Sequence, residues 1–89
     1  MKHVVKRAGH TEPYDSNKLY TSIYATCLAV REPTSASRVT AKKIVKDVNK
    51  WLESKQEVTV HDIRAFAGKK LLETNHHAGY LYLHHKIMW

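Results

Sequence analysis

The sequence predicts an α+β domain in which helices dominate and a small sheet sits at one end. Three observations lead there. Apolar residues recur at near-helical spacing in four separate stretches. Short β-branched runs with a period of two lie at residues 2–7 and near Val58–Val60. Gly, Pro and polar clusters separate these stretches into the order strand, strand, helix, helix, short strand, helix, helix.

Residues 2–7, KHVVKR, alternate and read as a strand. Residues 10–14, HTEPY, read as a second strand that must lie at an edge or stop at Pro13, which has no N–H for a ladder. Between them Ala8-Gly9 forms a hairpin turn, with Gly9 supplying the positive φ and Ala8 favouring a type I geometry. Asp15 is placed as an N-cap, and Leu19, Ile23, Cys27 and Val30 give the buried stripe of a helix over 16–30. REPTSAS breaks it, with Thr34 or Ser35 available to cap the next helix. There Ala41, Ile44, Val45, Val48 and Leu52 form one stripe, flanked by Trp51, and Lys42, Lys43, Lys46 and Lys50 lie largely off it. Val58 to Val60 predicts a third strand. Thr59 with Asp62 predicts a capping box that opens a helix with the stripe Ile63, Phe66, Ala67 and Leu71. ETNHHAG reads as a polar break. YLYLHHKIMW reads as the last helix, with Tyr80, Leu81, His84, Ile87 and Met88 as its candidate face.

A chain of 89 residues fits one domain spanning 1–89. No apolar run reaches the roughly 18 residues of a membrane span, and MKHVVKRAGH is no signal peptide. A cytoplasmic location and no membrane partner are therefore expected. The single cysteine, Cys27, lies among apolar residues and reads as a buried small hydrophobe. The net charge of +7 attracts polyanions in general and does not choose among them.

The stretch VVKRAGHTEPYDSNKL concentrates the candidate chemistry. Lys6 and Arg7 are neighbours on a strand and point to opposite faces. Lys18 lies about one turn into the first helix, whose start from Asp15 carries open backbone N–H groups and the positive end of the dipole. A hairpin folded against that helix would bring donors and cations together, which suits a phosphate group. Val5, Tyr14 and Leu19 could supply an apolar slot for a base. There is no GxxxxGK[ST] run, so this is not a Walker loop.

Val4, Val5, Lys6, Arg7, Ala8, Gly9, Tyr14, Asp15, Lys18 and Leu19 resemble the opening motif of the ATP-cone family. EVTVHDIRAFAGKKLLE is similar to the start of that family's third helix, and AGYLYLHHKI to its closing helix. The resemblance covers nearly the whole chain. It implies a four-helix bundle capped by a small three-stranded mixed β-sheet, with ATP or dATP bound beneath the sheet as a regulatory ligand, with or without Mg. In this family such domains act as switches on ribonucleotide reductase large subunits or on repressors of reductase genes. The resemblance assigns Lys6, Arg7 and Lys18 to phosphates. It places Val5 and the stretch Glu12, Tyr14, Asp15, Ser16, Asn17 and Leu19 around base and ribose, and Thr59, His61 and Asp62 near the phosphates. Ala8 replaces the usual Asp or Asn, and in one register Val60 stands where a Thr or Ser is expected. Neither a zinc ribbon nor a reductase barrel accompanies the motif, so a cone standing alone is expected, either a natural solo protein or an excised piece.

The seven histidines lack metal-ligand spacing: His76-His77 and His84-His85 are eight residues apart. No structural metal is expected. No nucleophile and base are arranged for catalysis, and the chain is not expected to be an enzyme. The favoured reading is a regulatory adenine-nucleotide module that couples occupancy to a homo-oligomer or a larger protein partner. The alternatives are a small basic nucleic-acid-binding protein, or a cone that has lost its ligand and serves as an adaptor.

Overall fold

The computed structural model describes the backbone of residues 4–7 and 10–84 and the side chains of residues 11–84. The elements run β1 (Val4–Arg7), β2 (His10–Pro13), α1 (Ser16–Ala29), α2 (Thr34–Leu52), β3 (Glu57–Thr59), α3 (Val60–Thr74) and α4 (His76–His84). The four helices and the two N-terminal strands follow the sequence pattern. The predicted Ala8-Gly9 turn, and Ile87 and Met88 of the predicted last face, lie outside the described residues.

The strand order is β2-β1-β3. β1 pairs antiparallel with β2, Lys6 opposite Thr11. It pairs parallel with β3, Lys6 opposite Thr59. β2 stops at Pro13 on the edge, as a residue without an N–H must. α1 packs mainly on α2 and α3 on α4, while α3 also meets β1 and β3. The sheet therefore rests beside the start of α3.

The core joins all four helices through Leu19, Ile23 and Cys27 of α1, Ile44, Val48 and Leu52 of α2, Ile63 and Leu71 of α3, and Tyr82 of α4. α3 and α4 pack closely at Gly79, where a Cβ would stand 2.5 Å from the backbone N of Leu72. Only a residue without a side chain permits that approach.

Three local expectations are corrected. Neither Thr34 nor Ser35 caps α2: Pro33 holds the N-cap position without a side-chain bond, and Thr34 already lies in the first turn. Val60 is the first residue of α3 rather than part of β3, because the capping box at Thr59 ends the strand there. α4 begins at His76, inside the stretch read as a polar break. Asn75 makes this possible, since its Oδ1 accepts from the Ala78 N–H at 3.1 Å and its Nδ2 donates to Glu32. The buried face of α4 is accordingly Ala78, Gly79 and Tyr82, while Tyr80 is 56% exposed and His84 also faces solvent.

α1 ends in a Schellman-type cap. The Arg31 N–H donates to Leu28 O and the Glu32 N–H to Cys27 O, at 2.9 and 3.0 Å. Arg31 takes the left-handed conformation that this motif needs, with φ 66°.

Candidate nucleotide site at the sheet and helix starts

The central strand sets the geometry. At Lys6 the backbone of β1 is flanked by Thr11 of β2 and by Thr59 of β3. Thr59 is the last residue of β3 and the N-cap of α3, so the sheet brings β1 directly beside the start of α3. The side chains of Val5, Lys6 and Arg7 lie outside the described residues.

At the α3 start the capping box is complete. Thr59 Oγ1 accepts from the Asp62 N–H at 2.9 Å, and Asp62 Oδ2 accepts from the Thr59 N–H at 3.2 Å. The backbone and side-chain hydrogen bonds of Thr59 hold the Asp62 carboxyl below its ordinary pKa. His61 and Asp62 are exposed and Thr59 is half-buried.

At the α1 start, Asp15 Oδ1 accepts from the Asn17 N–H at 2.9 Å and the Lys18 N–H at 3.4 Å. This corrects the expectation of open donors at that helix end. A carboxylate already occupies two of them and offsets the positive dipole end. What remains positive there is Lys18, whose Nζ lies 3.9 Å from Glu12 Oε1 on β2. The structure thus brings Glu12 and Lys18 together, both partly exposed.

Ser16 and Asn17 face elsewhere. They line a cavity of about 510 Å³ shared with Tyr20 and with Lys42, Lys46 and Lys50 of α2. One residue of helix rotates by about 100°, so neighbours of Lys18 in sequence need not share its face. Leu19 is wholly buried and packs beneath the α1 start.

Tyr14 links this corner to the bundle. It is half-buried against the core, and its hydroxyl is buried with no hydrogen-bond partner among the described residues. Burial first, then the charge of Asp15 and the nearby Tyr82, pushes its pKa up to about 12. Tyr82 itself bonds Ser22 at 2.9 Å between the two hydroxyls. Because the Ser22 hydroxyl also donates to Leu19 O at 2.8 Å, Tyr82 is the donor of the pair.

Sequence reasoning missed Arg64. Its Nη2 donates to the Tyr82 carbonyl at 2.7 Å, and its guanidinium centre lies 5.3 Å from the Tyr82 ring. It ties α3 to α4 one turn beyond the Thr59 cap. The available signal was a cation between Ile63 and Ala67 on an otherwise apolar helix side.

Residues 2–89 match the ATP cone domain family, and the chain belongs to it. No curated protein and no solved structure is significantly similar to the chain. ATP-cone domains act in general as regulatory nucleotide-sensing modules without catalytic activity, and the family binds adenine nucleotides. Among the described residues no cluster of His, Cys, Asp or Glu could hold a metal ion. Nor is any helix among them long and apolar enough to cross a membrane.

Proposed function

We propose that the chain is a single cone over residues 1–89 that binds ATP or dATP in the angle between the sheet and the starts of α1 and α3. Lys6, Arg7 and Lys18 would contact phosphates, with Thr59, His61 and Asp62 beside them. Val5, Glu12 and Tyr14 would form the wall for base and ribose, with the buried Leu19 packed behind it. The observation that carries this reading is the register of Lys6 with Thr59, beside the Glu12–Lys18 pair. An exposed ion pair of that length is worth about 0–1 kcal/mol, so Lys18 can turn from Glu12 to a phosphate at little cost. Glu12, a carboxylate with several acceptor sites, would also accept from a ribose hydroxyl. Because Asp15 fills the α1 cap, the phosphates would be held by side-chain cations rather than by that helix end. Any Mg would arrive with the nucleotide.

Regulation follows from linkage. A nucleotide that binds one assembly better than another shifts the population toward it, by no more than the difference in affinity. The partner would be a second copy of the chain or a larger protein. Calorimetric titration with ATP, dATP and GTP, with light scattering on the same samples, tests both parts. Micromolar binding of adenine nucleotides with a change of mass supports the sensor. No binding of either adenine nucleotide at millimolar concentration rejects it.

A further inference from the structure

We propose that the groove between the first turn of α1 and the C-terminal half of α2 is a track for single-stranded nucleic acid, distinct from the nucleotide site. Lys42, Lys46 and Lys50 line the cavity of about 510 Å³. Their i, i+4, i+8 spacing makes a stripe about 12 Å long on one helix face. All are exposed, and among the described residues none has an acidic partner; the neighbouring Lys43–Asp47 pair, at 4.0 Å, is the one ion pair on α2. Like charges four residues apart destabilise a helix. α2 carries two such contacts in succession, which a bound polyanion would relieve.

The groove also carries aromatic surface. Tyr20 forms its α1 wall and stacks on Tyr24, centroids 6.0 Å apart and planes 12° from parallel. At the other end Lys50 is shared with a second cavity of about 240 Å³, walled by Trp51 and Phe66. Those rings stack at 4.5 Å and 8°, and Lys70 Nζ lies 5.6 Å from the Phe66 ring. Tyr20 beside the lysine stripe is the ring on which a base can stack while the cations follow the backbone. Trp51 and Phe66 cover one another and carry Lys55 and Lys70 over their rings, so they add cations at the Lys50 end. Asn17 and Asn49 in the first cavity add amides that both donate and accept, as base edges require. An acidic peptide would use the lysines and the amides but has no base to set on the Tyr20 ring. The acids on the track are Glu53 in the first cavity and Asp47 in the second. Lys43 engages Asp47, and Glu53 shares the lining of the first cavity with three lysines.

Fluorescence anisotropy with a labelled oligothymidylate, its duplex form and polyglutamate tests this. The single strand binds best. With three lysines engaged, the slope of log affinity against log salt is about −2, so raising salt from about 50 to about 200 mM weakens binding roughly 16-fold. Lys42→Gln/Lys46→Gln/Lys50→Gln lowers affinity by about tenfold or more at the lower salt. The control Arg31→Gln/Arg38→Gln/Lys69→Gln has the same net charge, leaves the Lys43–Asp47 pair in place and keeps most of the binding. The control melts as the parent does, since its side chains are exposed, and the stripe variant melts as high or slightly higher because its like-charge contacts are gone. Saturating ATP leaves the strand bound. Equal weakening in both triple variants, equal or tighter binding of duplex or polyglutamate, absence of binding, or displacement by ATP would each overturn the proposal.

Discussion

Lys6 and Thr59 stand opposite each other across the parallel strands β1 and β3, and Thr59 is also the cap of α3. One residue therefore joins the sheet, the third helix and the proposed phosphate region. Thr59→Ala is expected to cost about 1 kcal/mol through loss of the cap. It should also let the Asp62 carboxyl rise part of the way toward its ordinary pKa, because the side-chain bond is lost while the larger cause, the backbone N–H of residue 59, stays. A lowered carboxyl pKa contributes stability that is present above the unfolded value and lost as pH falls through the folded one. The variant should thus lose less stability on acidification than the parent. Urea unfolding across the acid range, with an NMR titration of Asp62, checks both.

Lys18→Ala separates binding from folding. The Glu12–Lys18 pair is exposed and long, so the melting temperature should barely change. Loss of a charged phosphate contact should weaken ATP by about 1.5–3 kcal/mol, roughly ten- to a hundredfold. Calorimetry and a thermal melt on the same preparation read the two effects.

The Ser22–Tyr82 bond joins α1 to α4 inside the core, where Ser22 and Tyr82 are each 1% exposed. Ser22→Ala strands a buried phenol and should cost about 1–3 kcal/mol. Tyr82→Phe should cost less, because Ser22 still donates to Leu19 O. The double variant should cost less than the sum, with a coupling of about 0.5–3 kcal/mol in a denaturation cycle. Additive losses would mean the two hydroxyls do not interact.

Alkali should unfold the protein through its buried acids. Burial first, then the Glu32 carboxylate, pushes the Cys27 thiol up to about 12 from an ordinary 9.0. Tyr14 rises to about 12 from 10.0, and burial raises Tyr82 as well. The folded state then keeps protons that the unfolded chain releases. Stability should be level from neutral pH to 9 and fall as pH rises from 9 toward 12. Cys27→Ala should delay the onset toward the tyrosine range, at the expense of core packing. Urea midpoints over that range provide the check. The same burial predicts that the native thiol resists thiol reagents at neutral pH.

The features that the sequence made legible are local. Asp15 and the Thr59–Asp62 box are caps, written within one helical turn, and the stripes of α1 and α2 keep a regular period. The α4 start was hidden because Asn75 is oriented partly by Glu32, a partner 43 residues away. Its buried face was hidden because almost every residue from Tyr80 to Leu83 is apolar, so periodicity carries no phase. The candidate site was legible as a stretch of chain. Its division was not: Lys18 turns to Glu12, while Ser16 and Asn17 turn to the lysines of α2. Arg64 escaped notice because its partner, the Tyr82 carbonyl, is set by the packing of α3 against α4.

The most direct test of the nucleotide site is a map of amide shifts in labelled protein titrated with ATP. The account predicts the largest changes along Val4–Arg7, over Glu12–Lys18 and at Thr59–Asp62, saturating together. Changes centred on Lys42–Lys50 instead, or none at millimolar ATP, would contradict it.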